Sequence, residues 1–499
     1  MLAAWSVRRP AHTEPDNTNR TVTEITGKSA MSDDFLDRRA LFSWGRRGLG
    51  ATALLHLLGR DGLVRAGDVP ARAKRAVQIT LVGGLSHLDS FDHKPELARR
   101  HGKTLAMDAP PDIFFGQVGL LRKNDWEFRR RGHSGLWVSD LFPHIAGVAD
   151  ELTVINSMVA DTANHTPGLF VLNTGFGFNG YPSLGGWLSY GLGSEADDLP
   201  AYVVLPDGRG EPNGGASNWS GGFLPAQHQG VPFRSGSEPV RDLNPARPTA
   251  AAEEEATRAF LRQANGLHLE RSGGEAALAA RVRSYELAAR MQLAVPRVAD
   301  LSGEPDRVRA MYGLDRPETA DGGRRCLLAR RLLERGARFV QVYSGGAIGG
   351  SPRVSWDAHE NVKENHAAEA LRIDRPVAAL VRDLRQRGML DDTLVLFTTE
   401  FGRTPFAQSA ANVVGPGRDH NRYGFSCWLA GAGLRPGLAY GATDELGWKA
   451  AEKPATWHDF HATVLHLLGI DHEKLTFYHN GIRRRLTNVH GRVLTDVLA

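Results

Sequence analysis

Along the chain, short apolar runs alternate with stretches in which apolar residues recur at helical spacing. Six runs read as buried strands: Ala76–Val82 (AVQITLV), Leu152–Asn156 (LTVIN), Ala201–Leu205 (AYVVL), Arg338–Tyr343 (RFVQVY), Thr393–Thr398 (TLVLFT) and Phe425–Leu429 (FSCWL). Each is rich in β-branched or aromatic residues and bounded by Gly, Asp or Pro. Between them, Ala367–Arg387 places Ala370, Ile373, Val377, Leu380, Val381 and Leu384 on one helical face. Thr456–Leu468 does the same and stops at Gly469, a helix-terminating residue. Strands alternating with helices predict an α/β fold, a mainly parallel sheet sandwiched by helices. Residues 206–250, rich in Gly, Pro, Asn and Ser, read as an irregular excursion, and residues 251–336 as inserted helices. The expected organisation is a leader over 1–75 and one domain over 76–499, with an insertion at about 206–336.

Composition changes this picture at the N-terminus. The chain has 499 residues, a net charge of +4 and no apolar run long enough to span a bilayer. Residues 1–76 carry 13 Lys/Arg against 8 Asp/Glu, so the body of the chain is near neutral. A near-neutral body excludes nucleic-acid binding by phosphate neutralisation. Two cysteines, Cys326 and Cys427, exclude a disulfide framework and a thiolate metal cluster. Arg38-Arg39, followed by Leu41, Phe42 and the weakly apolar Gly48–Leu58, has the pattern of a twin-arginine export signal, with Met31 as an alternative start. That reading predicts a periplasmic or extracellular protein. The alternative, a basic amphipathic surface helix, leaves it cytoplasmic.

In a parallel α/β sheet, ligands bind beyond the carboxyl ends of the strands. Five strand-linked loops here bring a histidine, a carboxylate or both: His87 and Asp89; Asn164, His165 and Thr166; Asp357 and His359; Glu400 with Arg403; and Arg418, Asp419 and His420. Imidazole with carboxylate is a ligand set for zinc, iron or manganese. The arginines add planar donors suited to phosphate or sulfate oxygens. One Asp-x-His alone is usually a surface turn. Asp459-x-His461 has that spacing but opens an apolar helix, where aspartate acts as a cap. Coincidence at five strand ends carries the signal.

The segments GGLSHLDSFDHKP, NHTPGLFVLNTG, WDAHEN, TTEFGRTP, GRDHNRYGFSCWLAGAGL, YGATDELG and DFHATVLHLLGIDHEKLTF resemble the bacterial family called domain of unknown function 1501, from about Arg38 to the C-terminus. The family is grouped with the alkaline phosphatase and sulfatase superfamily. The resemblance implies that superfamily's fold, one or two divalent ions (zinc first; iron, manganese or calcium as alternatives) and a small-molecule or glycan ester as substrate. Carried over by position, Asp357 and His359 correspond to upstream metal ligands and His420 to a late one. Glu400 keeps a carboxylate ligand, whereas the adjacent histidine is replaced by Phe401. Gly83-Gly84 stand where metal-binding aspartates are expected, with His87 and Asp89 as the nearest substitutes. The nucleophile's place is taken by His165.

The implied chemistry is metal-assisted hydrolysis of phosphate or sulfate esters. Asp357, His359, Glu400 and His420 would hold metal, completed by His87 and Asp89, and Arg403 and Arg418 would neutralise the transferred group. His165 would attack, or serve as acid/base while Thr166 attacks with Asn164 beside it, or cap a turn as a purely structural residue; a metal-bound water is an equally economical nucleophile. Three alternatives stand: a metal-containing pseudoenzyme that binds an anionic glycan, a phosphosugar mutase or transferase, and a serine hydrolase at Ser86. The last fits poorly, since Leu88 replaces the glycine a nucleophile elbow needs.

Overall fold

The structure, a computed structural model, describes residues 69–105, 111–234, 239–241, 243, 250–350 and 353–499. The twin-arginine pattern at Arg38-Arg39 and the apolar stretch Gly48–Leu58 lie outside the described residues.

All six apolar runs are strands. In chain order the strands that frame the site are β1 (Arg75–Leu81), β2 (Leu152–Val159), β3 (Tyr202–Leu205), β4 (Val231–Pro232), β5 (Phe339–Ser344), β6 (Thr393–Thr399), β7 (Gly402–Ala407), β8 (Arg418–Asn421), β9 (Phe425–Gly431), β10 (Leu438–Tyr440) and β11 (Ala455–Thr456). Nine of them form one sheet in the order β10-β2-β9-β6-β1-β5-β3-β4, with β11 also pairing with β2. β1 lies at its centre, parallel to β5 through Ala76 opposite Phe339 and to β6 through Ala76 opposite Leu394. Only β9 runs antiparallel to its two neighbours, β2 and β6. β7 and β8 form a separate antiparallel ribbon.

Alternation along β1 feeds two cores. Val77, Ile79 and Leu81 face one side, where they join Leu327 and Leu332 of a helix over Pro317–Glu334 and Val377, Leu380 and Leu384 of a helix over Val362–Gln386. Ala76, with Leu394 and Leu396 of β6, faces the other side. Three further helices cover that side: α1 (His165–Thr174), α2 (Leu184–Leu192) and α3 (Trp457–Leu467). Helices thus cover both faces, because every central strand presents apolar side chains to both. The helix at Val362–Gln386 begins five residues before the periodicity predicts, at an Asn361 cap that accepts from Glu364 N. Asp459 caps as expected: Thr456 and Asp459 form a reciprocal capping box at the start of α3. Residues 251–336 are largely helical, including Ala251–Arg271 and Ala276–Ala299, whereas 206–234 are mostly turns around the short edge strand β4. Among the described residues no helix is long and apolar enough to cross a membrane.

The reversed strand matters for the site. β1, β2, β5 and β6 each deliver the loop at their C-terminal end to the carboxyl edge. β9 points the other way, so the segment that precedes it, β8 with His420, arrives at that same edge.

Candidate metal centre

Three segments at this edge bring His165, Asp357, His359 and His420 together, all buried, with one ligand atom of each within 4.8 Å of the others. Asp357 Oδ1 is the focus. It lies 3.2 Å from His165 Nε2, 2.7 Å from His359 Nε2 and 3.2 Å from His420 Nε2. Arg403 Nη2 reaches the same oxygen at 2.8 Å, and Arg353 Nη1 holds Oδ2 at 2.6 Å.

The other ring nitrogens decide what this cluster is. His165 Nδ1 lies 2.7 Å from Glu400 Oε1, His420 Nδ1 lies 2.6 Å from the Ala163 carbonyl, and His359 Nδ1 faces Gln408 Oε1. Each partner is an acceptor to which Nδ1 can donate, and Asp357 Oδ1 is an acceptor on the Nε2 side. In the neutral tautomer protonated at Nδ1, three Nε2 lone pairs turn toward one carboxylate oxygen. Four electron-rich atoms around a point, with Arg403 the cation that touches Asp357 Oδ1, is an arrangement that calls for a positive ion. Metal-bound histidines commonly donate their second ring N–H to a carboxylate or carbonyl, which fixes tautomer and ring orientation. The donor set fits a divalent transition metal: three imidazole nitrogens and one carboxylate oxygen suit zinc or iron better than calcium.

Proton affinities follow the same geometry. Burial opposes ionisation of Asp357, but the three imidazoles and Arg403 outweigh it and hold the carboxyl far below its ordinary range. Burial also works against a charged His165, yet its hydrogen bonds to Asp357 and Glu400 prevail and raise it above 6.5. His420 is pushed well below 6.5, chiefly by burial.

Local sequence explains the placement. Asn164 caps α1, its side chain accepting from Thr166 N at 3.3 Å, so His165 opens the helix rather than capping it. Gly83 sits at φ +119°, and a Cβ there would stand 2.5 Å from Asp357 N. The residues after β1 therefore leave no room for an aspartate: the chain carrying Asp357 occupies that space. Phe401 fills the place of the expected histidine, its ring 4.9 Å from that of His165 and 4.6 Å from that of His420. The geometry around these residues supplies ligands for one ion.

Other candidates fall elsewhere. Glu400 Oε1 accepts from Gly83 N at 2.8 Å as well as from His165, so Glu400 stands behind a histidine and not among the converging atoms. Asp89 is paired with Arg418 at 3.1 Å and accepts from Ser86 Oγ at 2.6 Å and Asp125 N at 2.8 Å. His87 Nε2 donates to the Gly447 carbonyl at 2.8 Å, apart from the cluster. Arg418 gives its remaining donors to the carbonyls of Thr404, Arg122 and Lys123. Arg403 gives its own to carbonyls of Gly83, Gly84 and Arg418 besides Asp357. Both guanidiniums are fully buried and committed to the fold, so the structure offers no free arginine fork to an anion there. Ser86, bonded to Asp89 and buried, has no histidine on its hydroxyl. Sequence reasoning missed Gln408, Arg353 and the Ala163 carbonyl. Arg353, four residues before Asp357, carries a weak signal, and the other two carry none.

The model of the family described as "Protein of unknown function (DUF1501)" matches residues 73–498. Among curated proteins, none matches the chain. Solved structures similar to it include the PsFucS1 sulfatase from Pseudoalteromonas sp., at 13% identity over 88% of this chain and 77% of that one, with a TM-score of 0.34. A phosphonate monoester hydrolase from Silicibacter pomeroyi matches at 12% identity over 72% and 71%, with a TM-score of 0.33. An alkaline phosphatase superfamily protein from Vibrio parahaemolyticus matches at 12% over 83% and 72%, with a TM-score of 0.36.

Proposed function

The chain belongs to the DUF1501 family, and we propose that it is a hydrolase of phosphate or sulfate esters built on one divalent metal ion, zinc foremost. The observation that carries this reading is the set of three imidazoles whose Nδ1 atoms all face acceptors while their Nε2 atoms converge on Asp357 Oδ1. When bound, the ion supplies Lewis-acid polarisation of an ester oxygen and lowers the pKa of water. His165, His359, His420 and Asp357 would hold it. Glu400, Gln408 and the Ala163 carbonyl orient the three rings, and Arg403 with Arg353 fixes the carboxylate. Both ring nitrogens of His165 are engaged, which supports water rather than histidine as the nucleophile. Residual exposure at the centre belongs to His165 (7%) and His359 (8%), which supports a site reached from solvent rather than a closed structural one. Phosphate and sulfate esters are the substrate class that the superfamily resemblance implies. Export through the Arg38-Arg39 leader belongs to the same reading, with the ion loaded before transit.

A second reading, an ion-holding binding protein without turnover, is favoured by the commitment of Arg403 and Arg418 to the fold. One experiment separates the two. Elemental analysis of the purified full chain is expected to give about one equivalent of a transition metal, the stoichiometry of a single four-ligand site. The same preparation, assayed on aryl phosphates and aryl sulfates, is expected to turn over one of them and to lose that activity on chelation. Metal without turnover on either panel selects the binding protein. Absence of metal, with no uptake on zinc addition, removes both readings.

A further inference from the structure

Phe114 and Phe115 are large apolar residues left 46% and 52% exposed, yet they are not on an indifferent surface. The Phe115 ring stands edge-on to His359 at 4.7 Å, and the Phe114 ring is tilted against His420 at 5.0 Å. The two rings meet each other at 83° and 4.9 Å. Their segment is tied to the centre by one carboxylate: Asp419 Oδ2 accepts from Phe115 N at 2.8 Å, while its Oδ1 accepts from His420 N at 2.7 Å. On the inner side, Phe401 packs against His165 and His420 and is fully buried. The imidazoles thus lie between a buried aromatic wall and an aromatic pair open to solvent. The open pair adjoins His359, one of the two histidines through which the centre reaches solvent.

We infer that Phe114 and Phe115 form a subsite for an aromatic ring on the alcohol side of a singly charged ester held at the metal centre. The inference rests on the metal-hydrolase reading and adds what that reading lacks, a source of selectivity for the leaving alcohol. Offset and edge-to-face contacts with a ring are the favourable geometry for such a pair, and a ring hides its faces from water at small conformational cost. Charge recognition does not compete strongly here. Arg403 and Arg418 are committed to carbonyls and carboxylates, Arg353 is held by Asp357 and Glu360, and Asp419 adds negative charge beside His420. A group with one negative charge suits that balance better than a dianion.

Two non-hydrolysable monoanions test this without turnover: benzenesulfonate, which carries the ring, and methanesulfonate, which lacks it. Calorimetric titration of the zinc-loaded full chain is expected to show benzenesulfonate binding at least tenfold more tightly. In Phe114→Ala/Phe115→Ala that advantage is expected to vanish, with methanesulfonate affinity and zinc stoichiometry unchanged. Phe114→Leu/Phe115→Leu, which preserves apolar bulk, is expected to lose it several-fold and remains informative if the alanine variant does not fold. Equal binding of the two sulfonates by the wild-type protein overturns the subsite and leaves the metal reading intact. Undiminished ring preference in the leucine variant overturns stacking by the phenyl rings. Loss of zinc in the alanine variant shows the pair to be a structural cover, which also overturns it. Failure of zinc-loaded wild type to bind either sulfonate overturns the subsite and the ester reading together.

Discussion

Two clusters at the same sheet edge are built from nearly the same residue types, and they do opposite things. In one, His165, His359 and His420 each turn Nδ1 outward to an acceptor and converge through Nε2 on Asp357. In the other, Asp89 accepts from Ser86, Asp125 and Arg418, and Arg418 gives its remaining donors to three carbonyls. The second cluster is saturated. Every strong acceptor has a donor, and the pair ties the loop after β1 to the β7–β8 ribbon. The first has more acceptor atoms at its centre than donors to meet them. What separates a ligand from a strut is therefore not residue type or position but whether hydrogen-bonding capacity is already exhausted.

The largest effect should come from breaking the saturated pair. Arg418→Ala leaves Asp89 buried without its cation, a loss of about 3–5 kcal/mol by analogy with other broken buried ion pairs. Urea denaturation should show it, while metal bound per folded molecule stays unchanged. Loss of metal at unchanged stability would exchange the roles assigned to the two clusters.

A smaller effect sharpens the first cluster. Glu400→Gln removes the charge behind His165 and should weaken metal binding about 10- to 100-fold, the usual cost of altering an orienting partner. Competition with a graded series of chelators measures it. A loss of several orders of magnitude would place Glu400 directly on the ion.

The smallest effect concerns a histidine that belongs with the struts. His366 is buried, accepts from Ser86 N at 3.0 Å through Nε2 and has Nδ1 3.0 Å from Asn365 Oδ1. Burial pulls it down to about 3. The folded protein therefore holds it neutral, while the unfolded chain binds a proton below about pH 6.5. Stability is unaffected by this group above that pH and falls as the pH drops below it. His366→Gln should flatten the decline between pH 6.5 and 5 in urea midpoints, and an unchanged slope would mean that His366 is charged in the native state.

Much of this was legible in the chain. β-Branched runs such as TLVLFT and AVQITLV can only be buried on both faces, so the strands and the sandwich followed from local pattern. That Asp357, His359 and His420 come together was legible because each adjoins a strand end, and His165 for the same reason, though as an attacking, acid–base or capping residue rather than as one of the converging rings. His87, Asp89 and Arg418 read identically in sequence. Nothing local says that Asp89 meets its arginine 329 residues away. Nor does the composition of FSCWLAG reveal that its strand runs backward, since an apolar run has the same character in either direction. Gln408 and the Ala163 carbonyl act through positions that only the folded backbone defines.

Chain connectivity gives the centre one more property. His165 and Asp357 are 192 residues apart, and Asp357 and His420 a further 63. Gathering such distant segments carries a loop-closure entropy that is met only when the whole sheet has assembled. An ion held among them would act as a cross-link between far-separated parts of the chain. Its binding energy would then be shared with folding: at a free concentration 100 times its dissociation constant, it would contribute about 2.7 kcal/mol to the stability of the entire domain. Metal starvation would register as a softening of the whole molecule rather than the slackening of one loop.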